Sequence, residues 1–374
     1  MRPRQNGASV APETLSNSSS SPQPSTPQSL HSNDPELLTI KLFYHFEHNI
    51  VETLPIGKAD TWVQMVEIAL DYRYLMQSML SLSAAHLHYL HPEDGRYEEA
   101  KLQHQSAALT ELREALSRDI TPKNSDALFA CSVLLFLYAW TAANPEDIGF
   151  PSGFEDLVPL ATGIKNMVMQ AVLTRTSVFQ ETMAFSPRVA LSMCALGTTV
   201  PDELEVLFKQ QYHLAFPEDE AEQHWKFDAF MTECKRLIPV VSILKLRQTG
   251  TDTTLLTHSI VRCLFTWPVL LSEGYFGLMK TRDCLGLLIL YHFFSAMAQA
   301  DIPTMWWCRK RTSIVISGLT KCFADSRVPV VNMYGSVGNE QSTRRSKWLE
   351  QIDWGIQLMI DRRWEGTSTQ GSSS

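Results

Sequence analysis

The chain has 374 residues, 44% of them hydrophobic and 19% charged, which is enough to bury a sizeable core in one large domain or two ordinary ones. A formal net charge of -8 argues against a broadly basic nucleic-acid surface. The seven cysteines (Cys131, Cys194, Cys234, Cys263, Cys284, Cys308 and Cys322) include no CxxC pair and mostly sit in apolar runs, so reduced, buried thiols of an intracellular protein are expected.

Residues 1–33, with "SNSSSSPQPSTPQSLHSN", offer too little apolar surface to offset the entropy of ordering them, and disorder is expected there and in the tail 365–374. No hydrophobic signal segment follows Met1-Arg2-Pro3-Arg4. Asp34 as N-cap, Pro35 at the first helical position and Glu36 in the first turn then open a helical run to about Thr53. Helical runs follow over 59–71, 72–90, 96–119, 125–143, 155–172, 201–212, 218–248, 254–271, 275–300, 303–323 and 342–363. Strand-like alternation is confined to the short stretch 328–333. The expected class is all-α, a multi-helix bundle of packed αα-hairpins over 34–364 with disordered tails. The apolar runs 127–143 and 285–300 contain Ser132 and Thr141, and His292 and Ser295, and fall short of roughly 18 clean apolar residues, so they predict core helices rather than membrane spans.

Four histidines crowd residues 75–109, where two helical runs meet at Pro92-Glu93-Asp94-Gly95. At about 100° per residue, His86 and His88 point to opposite faces and cannot share a metal. His88 and His91 are three apart, but Pro92 follows and no acid or cysteine at ligand spacing joins them. His86 falls on the apolar line of Leu75, Met79, Leu82 and Tyr89. His104 sits near Ala100, Ala107 and Ala108, which with Ser81, Ala84 and Ala85 permit two helices to approach closely. The expectation is an αα-hairpin, its second helix burying Leu102, Leu109, Leu112 and Leu116.

No enzyme chemistry emerges. "HFEHN" (His45, Glu47, His48) is not HExxH, "YGSVGN" lacks nucleophile-elbow spacing, and Gly57-Lys58 in "PIGKAD" has no upstream phosphate-loop glycine. No catalytic residue, metal ligand or cofactor site is assigned. The remaining constellation is apolar: Leu287, Tyr291, Phe294 and Met297 can share a helix face, and Met305, Trp306 and Trp307 follow after Asp301, read as a cap, and Pro303. Adjacent tryptophans point about 100° apart, which allows one to face the core and the other a groove. These seven residues are the candidate lining of a lipophilic pocket, the alternative being plain core packing. The basic trio Arg309-Lys310-Arg311 reads as a solvated face.

Taken in order, "LMQSMLSLSAAHLHYLHP", "YEEAKLQHQSAALTELREAL", "NSDALFACSVLLFLYAW", "GLLILYHFFSAM…MWWCRK" and "RRSKWLEQIDWGIQLM" resemble the helical blocks of the regulatory domain of fungal Zn2Cys6 zinc-cluster transcription factors, above all the sterol uptake regulator subgroup. The resemblance covers nearly all of 34–364. It implies a nuclear transcription regulator, shuttling with the cytoplasm left open, whose helical domain senses a sterol-like lipophilic ligand or a partner. The family's zinc cluster needs six cysteines, and no cysteine precedes Cys131. The expected partners are therefore the transcription machinery or a zinc-cluster protein; direct DNA binding by this chain is not expected unless a zinc-cluster segment lies upstream, no membrane is expected, and homodimerisation is open. A helical lipophile-binding protein or enzyme of a small-molecule pathway, and a non-catalytic helical scaffold, are the alternatives.

Overall fold

In the computed structural model, the described residues are 34–142, 157–174, 177–180, 186–215, 224–280 and 283–325. The expected disordered arm 1–33, strand-like stretch 328–333, helix 342–363 and tail 365–374 lie outside them, as do the first residues of the runs predicted from 155 and from 218. The described residues are helical and contain no strand, in agreement with the all-α expectation.

Asp34 caps α1 (Pro35–His45) by accepting from the Glu36 amide at 2.9 Å, as its sequence requires. The chain continues through a π-helical turn, Phe46–Ile50, and a 3-10 turn, Val51–Thr53, so the predicted run to Thr53 is helical but changes pitch. Gly57 then bends the chain at φ 85°, where a Cβ would come within 3.0 Å of the Trp62 indole nitrogen. That indole donates back to the Ile56 carbonyl. Gly57 in "PIGKAD" thus serves a turn over Trp62.

α2 (Ala59–Ala69) leads into the hairpin of α3 (Arg73–Leu90) and α4 (Gly95–Leu116). The small residues meet as expected: Ser81, Ala84, Ala100 and Ala108 are buried, and the Ser81 hydroxyl reaches the Lys101 carbonyl of the facing helix at 3.0 Å. The predicted leucine stripe of α4 is buried only in part: Leu112 is enclosed and Leu109 packs half-buried against the core. Leu102 is 51% and Leu116 40% exposed, while Tyr97, Ala100, Ala108 and Leu112 face inward. Close helix approach selects the alanine line, because a leucine there would hold the backbones apart.

α5 (Ser125–Thr141) is the centre of this half: all but three of its 17 residues are buried. α3, α4, α2 and α6 (Leu157–Thr174) pack around it. Asp126 in its first turn accepts from the Ser177 hydroxyl and the Val178 amide, tying residues 177–178 to the helix start. The second half comprises α7 (Pro187–Cys194), α8 (Val200–Ala215), α9 (His224–Gln248, with Pro239 inside), α10 (Thr257–Thr266), α11 (Glu273–Lys280), α12 (Cys284–Ala300) and α13 (Trp306–Asp325). The run predicted as one helix over 275–300 is divided. Asp283 caps a new start at α12, accepting from the Leu285 amide at 3.0 Å and holding Lys226 of α9 at 2.7 Å. Asp301 does not cap the next helix as expected; it closes α12 in a left-handed conformation, φ 42°, which Asp tolerates better than most residues.

One continuous apolar core runs from Phe46 to Leu319 and joins the two halves through α13, which packs on both α5 and α12. α5 and α12 are the two runs that looked membrane-like; both are core helices, and among the described residues no helix is long and apolar enough to cross a membrane. Of the cysteines with described side chains, Cys131, Cys234, Cys263 and Cys308 are buried as expected, and Cys194 is exposed.

The basic trio is split rather than solvated. Lys310 is exposed and Arg309 lies 4.0 Å from Asp301, but Arg311 is only 1% exposed. Its guanidinium donates to the Ala139 carbonyl at 2.7 Å and the Trp140 carbonyl at 3.4 Å, in the last turn of α5. The Ala139 carbonyl also accepts from the Ala142 amide at 3.3 Å, and a cation is favoured at that end of the helix dipole. Arg311→Met keeps the length but removes the donors; a loss of about 2–4 kcal/mol is expected, read as a lower urea midpoint, whereas Lys310→Met at the exposed neighbour leaves the midpoint unchanged.

Candidate functional site

The seven predicted pocket residues are all buried, and the structure sorts them into two groups. Leu287, Tyr291, Phe294 and Met297 lie on α12, Met305 in the 3-10 turn Pro303–Met305, and Trp306 and Trp307 at the start of α13. The two tryptophans diverge, as helical geometry demands, but neither faces an open groove.

Trp307 enters an aromatic cluster. It meets Trp140 edge-on at 5.5 Å and Phe265 at 5.6 Å; Trp140 in turn meets Phe294 at 6.0 Å and Phe136 at 6.1 Å. Phe293 extends the cluster, stacked on Trp267 at 4.2 Å. The structure therefore brings Phe294 and Trp307 together through Trp140, a residue the sequence reading did not select. Its only signal was its place at the end of the apolar run "LLFLYAW". The cluster has a polar feature as well: the indole nitrogens of Trp140 and Trp307 are enclosed and make no hydrogen bond among the described residues. An indole nitrogen can only donate, and a buried donor without an acceptor costs about 1–3 kcal/mol.

Trp306 turns to the N-terminal layer. Its ring lies 4.4 Å from that of His86 and 6.0 Å from that of Tyr89, and its indole nitrogen donates to the Thr53 hydroxyl at 3.2 Å. His86 Nδ1 is 3.0 Å from His45 Nε2, so α1, α3 and α13 meet at one histidine pair. One ring must donate and the other accept, which requires at least one to be neutral. Desolvation by burial lowers both pKa values to about 4, helped for His45 by the charge of Lys41 and for His86 by His45. Neither histidine gave a sequence signal for this pairing, since they are 41 positions apart.

The other hairpin histidines are separate from it and from one another. His104 Nδ1 reaches Gln77 Oε1 across the hairpin at 2.6 Å, His88 faces Glu98 at 3.1 Å, and His91 is 3.8 Å from Glu93 at the surface. Among the described residues no three of His, Cys, Asp or Glu converge as metal ligands would.

With this geometry the site has no nucleophile–base pair and no metal-ligand set among the described residues. It has an apolar aromatic cluster carrying two buried donors, coupled by adjacent residues of α13 to a neutral histidine pair. Comparison with known proteins finds similarity in the surrounding scaffold. Residues 41–147 match the fungal specific transcription factor domain. The chain is 23% identical over 265 residues to sterol uptake control protein 2 of Saccharomyces cerevisiae, covering 70% of this chain and 27% of that protein. It is 26% identical over 369 residues to a Zn(2)-C6 fungal-type transcription factor of Gibberella zeae, covering 90% of this chain and 65% of that one. The chain thus spans less than two thirds of the length of either relative.

The histidine pair sets a pH dependence with a definite sign. Both folded-state pKa values lie below the ordinary 6.5, so the unfolded chain binds more protons as pH falls below that value. The stability the pair contributes is present above pH 6.5 and is lost progressively as the pH falls toward 4. The melting temperature is expected to fall by roughly 2–6 °C more between pH 7 and pH 5 in the wild type than in the double variant His45→Phe, His86→Phe, measured by differential scanning fluorimetry.

Proposed function

We propose that this chain, which carries a fungal specific transcription factor domain, is the ligand-responsive effector domain of a fungal transcription regulator. The names of its relatives point to a transcription factor rather than an enzyme. The observation that carries the ligand reading is the pair of enclosed indole donors, Trp140 Nε1 and Trp307 Nε1, in an otherwise apolar aromatic cluster. A site of that chemistry selects a rigid lipophilic molecule bearing one polar oxygen. The ring faces of Phe136, Phe265 and Phe294 cover its apolar body, and the indoles donate to its oxygen. A sterol has this chemistry, and one relative is named for the control of sterol uptake.

In this reading the ligand changes the position of Trp307, and the adjacent Trp306 transmits the change to His86 and α1. A ligand shifts such an equilibrium only by its differential affinity for the two arrangements, and Trp307 is where that difference arises. The output is contact with the transcription machinery in the nucleus, with DNA contact supplied by a zinc-cluster partner or by sequence outside these 374 residues.

Purified full chain examined by native mass spectrometry is expected to carry a lipophile or to take one up from a sterol panel. Trp140→Phe removes one donor at small volume change and is expected to weaken that binding about tenfold, the value of one hydrogen bond. Fused to a heterologous DNA-binding domain, the chain is expected to change reporter expression when the lipophile supply changes. A chain that neither carries nor binds any lipophile would sink the ligand reading; a fusion that is silent under all conditions would sink the regulatory one.

A further inference from the structure

The two enclosed polar groups of the aromatic cluster are of one kind. Trp140 is 0% and Trp307 2% exposed, and neither indole nitrogen has a hydrogen-bond partner among the described residues. The two rings belong to different helices, α5 and α13, and meet edge-on at 5.5 Å and 71°. Each indole nitrogen donates and cannot accept. The side chains packed around the pair, Phe136, Phe265, Phe293 and Phe294, present ring faces and no acceptor.

The nearby acceptors are engaged or placed elsewhere. In the last turn of α5 the Ala139 carbonyl takes the Arg311 guanidinium at 2.7 Å and the Ala142 amide at 3.3 Å, and the Trp140 carbonyl takes Arg311 at 3.4 Å. Thr266, beside Phe265, turns its hydroxyl back to the Arg262 carbonyl at 2.8 Å. Thr312 follows Trp307 by five positions and so lies about 140° round α13, on the line of Cys308. His292 of α12 meets Phe208 of α8 at 5.5 Å. A ligand oxygen set against the two indoles therefore meets donors from two helices and no acceptor among these side chains.

Neutral oxygens differ in what they ask of such a site. A carbonyl oxygen has two lone pairs and no proton, which matches two donors. An alcohol oxygen also accepts from both, but it brings a proton of its own. That proton would face an aromatic ring, its hydrogen bond to water lost and not replaced. We infer that the Trp140 and Trp307 donors make the cluster select a lipophile with a ketone oxygen over the alcohol of the same skeleton. This selectivity rests on the ligand reading above and narrows it: the domain reads the oxidation state of one carbon as well as the shape of an apolar body.

Two matched pairs test it on the purified full chain: cholestanone with cholestanol, and decalone with decalol. Each pair is presented as an equimolar mixture from cyclodextrin, and the protein-bound fraction is extracted and measured by mass spectrometry. The ketone is expected to be retained at least about tenfold over its alcohol, the effect of one enclosed proton without an acceptor. Trp140→Phe removes a donor that both members use and is expected to weaken both while keeping the ratio. Trp140→His sets an acceptor nitrogen beside a donor and is expected to bring the ratio below about threefold. In infrared difference spectra the carbonyl stretch of bound cholestanone is expected below its frequency in hexane, with part of that shift relieved by Trp140→Phe. Near-ultraviolet circular dichroism identifies the folded variants, and the wild-type ratio and stretch decide the question where Trp140→His does not fold. Equal retention of ketone and alcohol, a preference for the alcohol, or an unshifted stretch would overturn this selectivity and leave the ligand reading standing. Retention of none of the four compounds would remove both.

Discussion

A helix without a polar face has to be enclosed, and α5 is such a helix. Its buried residues lie on every side, from Ala127 and Leu128 through Phe136 to Trp140. Enclosure needs helices from both ends of the chain, and these are α2, α3, α4 and α6 on one side and α13 on the other. Enclosure also deprives the last carbonyls of α5 of water, which Arg311 answers from 171 positions away. A buried cation is costly unless it is well bonded, and here the guanidinium is bonded to two carbonyls in the last turn of α5. That enclosure is one place where the two halves of the molecule join; α6 against the turn Pro268–Leu270 is another.

The same packing separates the first two residues of α13. Because successive side chains diverge by about 100°, Trp306 and Trp307 cannot serve the same neighbour. One fills the aromatic cluster around Trp140, and the other seals the joint between α1, α3 and the turn at Thr53. A rotation of α13 about its axis moves both at once. This pair joins the aromatic interior around Trp140 to the layer that holds α1 and α3.

Much of the scaffold was legible beforehand because it rests on local physics. The Asp34 cap, the core character of α5 and α12, and the small-residue contact between α3 and α4 follow from capping chemistry, hydropathy and helical period. Errors arose where a local pattern met a tertiary demand. Leu102 and Leu116 looked like the buried stripe of α4, but the short distance to α3 admitted Ala100 and Ala108 instead. Arg309-Lys310-Arg311 looked like one solvated face, yet the neighbouring helix end drew Arg311 inside. Asp301 looked like a helix start and proved to be a helix stop.

The amino-acid sequence by itself determined that the described chain is helical, which runs are apolar on all sides, and that the tryptophan pair must point two ways. Those properties depend on neighbours within a few positions, where covalent geometry dictates the outcome. Only the tertiary structure decided that His45 meets His86, that Trp140 joins Phe294 to Trp307, and that Arg311 closes α5. Each of those contacts joins residues from separate helices. Helix period says which face a side chain occupies but not which helix will lie against it; that is settled when the whole core packs at once.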